Sequence, residues 1–287
     1  MYPIIITAPH ACSKITDPKI LDRLVLNEYE IFKFSDPFTS ELDYFDCAAF
    51  THVADTHRLV CDFNRAPTIR DAFHIKDFFG RSVFKKGREF TEHEKRVHLE
   101  KYWWPFHNQV VDSIFELDEE GHSVILLVDF HNTSGDHPIG TTGEYMPSVV
   151  ISNLGKGVSS KDANEDSSVA SIPMKHLSFF KETVSEKLNV GVDMNTIYKG
   201  GYNIIWMKQL RKELNINARL YAVQIEYNLD YVFNPISKKV DREAMAIMYH
   251  AFNDGLIELY ERLWSEENKI TIETYAMSEV SGKNTPS

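Results

Sequence analysis

Cysteine is scarce in this chain. Cys12, Cys47 and Cys61 are the three among 287 residues, and no CxxC pair occurs. So sparse and odd a count excludes a disulfide framework, and a reducing, cytoplasmic setting is the expected one. The opening MYPIIITAPH has neither a basic segment nor a long apolar stretch, so no secretory leader is expected. No apolar run approaches the ~18 residues of a membrane span. Basic blocks are missing too: the formal net charge is −11 and no Lys/Arg cluster offsets it. Nucleic acid and anionic membrane surfaces are therefore disfavoured as partners. Neither an HExxH helix nor a close His/Cys cluster is present, so spacing alone does not define a metal site. Internal repeats and an inter-domain linker are lacking, which leaves one domain over 1–265 and a polar tail over 266–287 as the expectation. Oligomeric state is not legible.

What is present suffices for a large core, with 43% hydrophobic and 12% aromatic residues. Pro3–Thr7 is a short apolar run without alternation, as in a strand buried on both faces. Residues 18–34 have roughly helical spacing and end at Ser35-Asp36-Pro37. HRLVCDF at 57–63 reads as a second strand, and 68–90 as an irregular connection. Thr91 followed by Glu94 resembles a capping box opening an amphipathic run to about Leu117. Ser123–Phe130 is the clearest buried strand, Pro147–Ser152 a shorter one, and 153–171 a polar loop with the composition of a lid. Helical patterns near 174–188 and 202–214, a strand Arg219–Tyr227 and a long helix at 240–264 follow. The alternation predicts an α/β fold, with helices flanking a mixed, mostly parallel central sheet.

Ligands in such sheets collect beyond the carboxyl ends of the strands. His10, Asn64-Arg65, His131 and Glu226 each fall at or near such an end. Two neutral imidazoles and a carboxylate are the usual protein ligands of a catalytic zinc, with one position left for water. A hydrogen-bonded loop or core histidine is the plain alternative for either imidazole, given 12 histidines in the chain.

The series Pro9-His10-Ala11, Asp36 with a helix after it, His57 through Arg65, Tyr102 through His107, and Asp129-Phe130-His131 resembles N-formylglutamate amidohydrolases in order and approximate spacing. Gly200-Gly201-Tyr202 and Gln224-Ile225-Glu226 look like later segments of that family, so the likeness covers roughly residues 3–230. It implies a zinc carboxypeptidase-like (phosphorylase/hydrolase-like) architecture and cleavage of an N-acyl amino acid with one Zn2+ ion. Cys12 stands where that family usually has Gly, Asn132 where it commonly has Ser, and Pro37 where a bulky residue is frequent. These departures leave the metal ligands in place and the substrate open.

Carried over on this resemblance, His10 and His131 are metal ligands and Asp36 is the third, with Glu30 and Asp43 as fallbacks. The plain reading of Asp36 is a helix N-cap before a proline. Glu226 is the candidate general base, against an exposed glutamate at a strand end. Arg58 is a candidate oxyanion donor. Arg65, with Asn64, is a candidate holder of the carboxylate of a small-molecule substrate. Salt bridges to Asp55 or Asp62 are the structural reading of both arginines. If 57–63 is a strand, Arg58, Val60 and Asp62 share a face. Gly201 and Tyr202 are candidate substrate contacts, with an ordinary loop as the alternative, and His107 is first of all a packing residue. A peptidase acting on short peptides and a catalytically silent binder of an acidic ligand are the competing functions.

Overall fold

Pro3–Thr7 lies within the first strand, β1 (Tyr2–Ala8), six of whose seven residues are buried. The structure, a computed structural model, describes residues 1–133, 147–155 and 170–281. After β1 come α1 (Pro18–Leu21), α2 (Glu28–Phe34), β2 (Ala48–Val53), α3 (Glu92–His98), α4 (Trp104–Glu119) and β3 (Val124–Thr133). The chain continues through β4 (Val149–Ser152), α5 (Met174–Leu188), β5 (Val192–Met194), α6 (Tyr202–Glu213), β6 (Arg219–Asn228) and α7 (Arg242–Ser281). The six strands form one sheet in the order β2-β1-β3-β6-β4-β5. β2, β1, β3 and β6 run parallel, and β4 turns antiparallel against β6 while pairing parallel with β5. The sheet is thus mixed and mostly parallel, with helices on both faces.

All ten residues of β3 are buried, because helices cover both of its sides. Val124, Leu126, Val128 and Phe130 face α5 and α7, while Ile125 and Leu127 face α4 and α6. From α7, Met245, Met248, Phe252, Leu256, Leu259 and Leu263 recur at three- and four-residue spacing and bury one stripe. Each such side chain is worth roughly 1.5–3 kcal/mol when fully buried.

Several expectations are corrected. Residues 57–63 are not a strand. His57 Nδ1 accepts from Leu59 N at 3.0 Å, and His57 O accepts from Val60 N at 2.8 Å, so local bonds close a turn. Its apolar residues bury beneath the 68–90 connection in a separate cluster, and Ala48–Val53 takes the place beside β1. The 18–34 run splits into two helices, the second opened by an Asn27/Glu30 capping box. The Thr91/Glu94 box does open α3, but Leu99–Trp103 is a π-helical segment between α3 and α4. Pro105 has no N–H to give the preceding turn, which accounts for the widened ladder there. No α-helix opens at Asp36; a turn follows it, with Thr39 N donating to Asp36 O, and then a single 3-10 turn at Leu42–Tyr44. α7 runs on to Ser281, so most of the expected tail is helical. Of the lid-like loop, residues 156–169 lie outside the described ones. Among the described residues no helix is long and apolar enough to cross a membrane.

Candidate metal centre

One face of the sheet changes chemistry at the C-terminal ends of three neighbouring strands. Toward α4 and α6, β1 presents Ile5, β3 presents Ile125 and Leu127, and β6 presents Leu220 and Ala222. The period of two carries these rows on to Thr7, to Asp129 and His131, and to Gln224 and Glu226. Register sets them side by side: Thr7 pairs with Asp129, Asp129 with Gln224, and His131 with Glu226. All five are buried. The chain places β2 on one side of β1 and β3 on the other, and such a reversal is where open α/β sheets hold ligands.

His10 follows the end of β1, and its carbonyl accepts from Asp36 N at 3.0 Å, tying the segment after α2 to the strand end. Asp36 Oδ2 then lies 2.7 Å from His131 Nδ1 and 3.3 Å from His10 Nδ1. One donor atom from each of these buried residues lies within 4.8 Å of the others. Each imidazole is held from behind. His10 Nε2 is 2.8 Å from Asp62 Oδ1, and His131 Nε2 is 2.8 Å from Asp129 Oδ2. With Nε2 of each ring on these carboxylates, each Nδ1 is turned toward Asp36 Oδ2. Released of their Nδ1 protons, the two rings and Asp36 would offer three donor atoms to one cation. Two imidazoles and a carboxylate, each ring backed by a second carboxylate, fit a zinc-class ion.

The backing carboxylates are themselves saturated. Asp62 accepts from Asn64 N (2.8 Å), Arg58 Nη2 (2.9 Å) and Arg58 Nε (3.2 Å), and His74 Nε2 lies 2.5 Å away. Asp129 accepts from Thr7 Oγ1 (2.9 Å) and Asn203 Nδ2 (3.0 Å). Burial disfavours a charged Asp62, but Arg58, His10 and His74 outweigh it and hold its carboxyl well below the usual range. Burial works against a charged His131 as well, yet Asp129 and Asp36 raise it well above the ordinary value. Burial pushes Glu226 up to about 8; His131 and Arg58 pull against this, and Asp36 and Asp129 add to it. An added cation in the centre would favour its ionised form.

The site residues expected from the sequence mostly converge. Asp36, rather than Glu30 or Asp43, meets the histidines; it is no helix cap. Glu30 closes the α2 capping box and Asp43 is exposed. Arg58 and Asp62 meet through the helical turn, four residues apart, instead of by strand alternation. Arg58 Nη1 also reaches to 3.7 Å from Asp36 Oδ1. Asn64 Nδ2 is 3.2 Å from His131 Nε2, and Asn64 Oδ1 accepts from Asn203 N at 2.9 Å. Arg65 is exposed on the cleft, and its guanidinium has no partner among the described residues. Gly201 N donates to Gln224 Oε1 at 2.6 Å. A Cβ on Gly201 would stand 2.2–2.6 Å from the Asn64 side chain, so this glycine makes room for Asn64. Tyr202 is not part of the cleft; its ring packs near Trp103. His107 stacks on Trp103 at 3.5 Å and lies 3.2 Å from Asn203 Oδ1, so it packs and also backs the Asn203–Asp129 pair.

Asp129 and Gln224 stand in the family-like segments of the sequence without a role of their own, although alternation from His131 and Glu226 points to both. Gln224 bridges Gly201 and Glu226, donating to Glu226 Oε2 at 3.2 Å. Asp62's tie to His10 had no sequence signal. The centre opens into a cleft of about 720 Å³.

Fold and site together define an α/β protein with a candidate metal centre at its strand ends. Residues 2–232 match the N-formylglutamate amidohydrolase family, and the chain belongs to it, a family of hydrolases acting on amide bonds. The crystal structure of N-formylglutamate amidohydrolase from Ralstonia eutropha JMP134 is similar, with a TM-score of 0.64, 13% identity, and 93% of this chain and 94% of that one covered. A gene product from Agrobacterium tumefaciens matches with a TM-score of 0.61 and 19% identity over 93% of this chain and 92% of its own. At such identities the likeness is one of fold. No curated protein matches the chain.

Proposed function

We propose that this protein is a zinc-dependent amidohydrolase that cleaves an N-acyl amino acid, N-formylglutamate being the substrate the family's name suggests. The observation that carries the reading is the meeting of His10, Asp36 and His131 beside Glu226 at the head of a cleft. One zinc-class ion held by those three residues would polarise the amide carbonyl and bring the pKa of water toward about 7. Glu226 accepts the proton of the attacking water and returns it to the departing amine. Arg58, kept in place by Asp62, sets fixed positive charge beside the oxygen on which negative charge develops. Arg65 supplies a planar pair of donors for the substrate's carboxylate, and Asn64 assists it. Gln224 fixes the direction of Glu226. Asp62 and Asp129 keep the two imidazoles turned inward.

The same groups would serve a peptidase on short peptides, so the decisive assay is a panel of N-formyl and N-acetyl amino acids run against di- and tripeptides. It is combined with elemental analysis of the purified protein. Hydrolysis of the acyl amino acids with close to one zinc-class ion per chain is expected. Protein free of such a metal after growth in zinc, or unaffected turnover after His10→Ala or His131→Ala, refutes the reading. The catalytically silent binder predicts a missing ligand or base, whereas all four residues are present.

A further inference from the structure

Beside the metal centre the cleft widens into an aromatic annex that hydrolysis of a formyl group does not need. Phe34 ends α2, two residues before Asp36, and Phe78 from the 68–90 connection stacks on it at 4.7 Å with planes 19° apart. The Arg58 guanidinium lies 5.7 Å from the Phe34 ring and 5.6 Å from the Phe78 ring. The annex therefore begins at the reacting centre. Phe78 is 39% exposed and the adjacent Phe79 61%, and both line the cleft with Leu26 and Tyr29. Their exposure is built. Asp77 Oδ1 accepts from Phe79 N (2.9 Å) and Arg81 N (2.8 Å), Asp77 Oδ2 accepts from Arg81 Nε (2.6 Å), and Gly80 takes φ +78°. This turn holds two phenylalanines out on the rim; the Arg81 guanidinium lies 5.5 Å from the Phe79 ring, and the rest of their exposed apolar surface meets water.

Charge in the cleft suits a single carboxylate. Arg58 is committed to Asp62, and Arg81 to Asp77 and Glu30. Arg65 is then the cleft arginine without a partner among the described residues. A second carboxylate, such as a glutamate side chain carries, would meet Lys33 or Lys199, point charges on flexible stems. A cleft of about 720 Å³ also lies well within the range of ligands larger than a formylated amino acid.

We infer that the annex binds an aromatic group of the substrate, so that this chain prefers an N-acyl amino acid with one carboxylate and an aromatic ring near the scissile amide. The inference rests on the hydrolase reading above. The ring can sit on either half of the substrate, and ring-on-ring stacking with Phe78 and Phe79 is the recognition in both cases.

The test measures kcat/KM for N-formylphenylalanine, N-phenylacetylalanine, N-formylglutamate and N-formylalanine, with native protein and with Phe79→Ala and Phe78→Leu. At least one aromatic compound should exceed N-formylglutamate by tenfold or more, and the two aromatic compounds distinguish which half carries the ring. In Phe79→Ala the ratio of that compound to N-formylalanine should fall at least fivefold. A preference for N-formylglutamate, or an unchanged ratio in both variants, overturns the inference. Calorimetric binding to Glu226→Gln separates it from the hydrolase reading. If no compound is hydrolysed by native protein but the aromatic acid binds Glu226→Gln and binding weakens with Phe79→Ala, the annex stands and the hydrolase falls. Equal binding of all four compounds overturns the annex by itself.

Discussion

Glu226→Gln is expected to cut turnover steeply and to stabilise the fold at neutral pH. The carboxyl is buried at the end of β6, and burial lifts it to about 8 from its ordinary 4.5. Between those values the unfolded chain has released the proton while the folded chain keeps it, so native stability falls as pH rises. The sign follows from the raised folded value: Glu226 costs nothing below about pH 4.5, costs progressively more above it, and levels off above about 8. At pH 7, about 2.5 pH units above the unfolded value and at about 1.4 kcal/mol each, the cost is about 3 kcal/mol. Glutamine removes it and can still accept from Gln224 Nε2, which lies 3.2 Å from Glu226 Oε2. In chelator-treated protein, thermal unfolding at pH 7 should therefore show a Tm roughly 5 °C higher for the variant, since 287 residues at about 2.1 cal/mol/K each set the unfolding entropy. That gap should close by pH 4, and it should shrink when zinc is restored, because a cation stabilises the ionised glutamate. Turnover should drop by roughly 10²–10⁴, the usual contribution of a general base. Equal Tm values at pH 7, or a gain that persists unchanged at pH 4, would refute the reasoning.

Other substitutions read out the remaining parts. His10→Ala or His131→Ala should lose bound zinc, measured by elemental analysis after dialysis against a metal buffer. Asp129→Asn should keep the ligands but weaken metal affinity by roughly 10–100-fold, since His131 loses the acceptor that fixes its ring; competition with a chromogenic chelator measures this. Gly201→Ala should destabilise by about 1–3 kcal/mol and disturb Asn64. Gly191→Ala, whose Cβ would meet nothing within 4 Å, is its control in denaturant unfolding. Arg65→Lys should raise KM for carboxylate-bearing substrates more than it lowers kcat, because lysine cannot reproduce the paired donors.

The main strands were legible because a doubly covered strand must be apolar almost throughout. Tyr2–Ala8, Val124–Thr133 and Arg219–Asn228 announce themselves in this way. HRLVCDF misled for the same reason: its apolar residues are buried in a side cluster, and composition does not tell a buried turn from a buried strand. The edge strand Ala48–Val53 escaped notice because half-exposed edges need no apolar run. The helical continuation to Ser281 was hidden by a polar sequence, which charge and polarity alone do not distinguish from a tail.

For the centre, the sequence by itself determined the residue types and their places at strand ends: His10, His131 and Glu226, with Asp36 and Arg58 in a family-like order. Alternation also contained Asp129 and Gln224, since side chains two apart share a face. The tertiary structure alone decided which carboxylate joins the histidines and which carboxylates stand behind them. Asp36 reaches the site from beyond α2 through a backbone bond to His10, and Asp62 through a turn that bonds made by His57 help close. Those distances depend on how loops pack across the sheet, a property of contacts between distant segments that no local periodicity records.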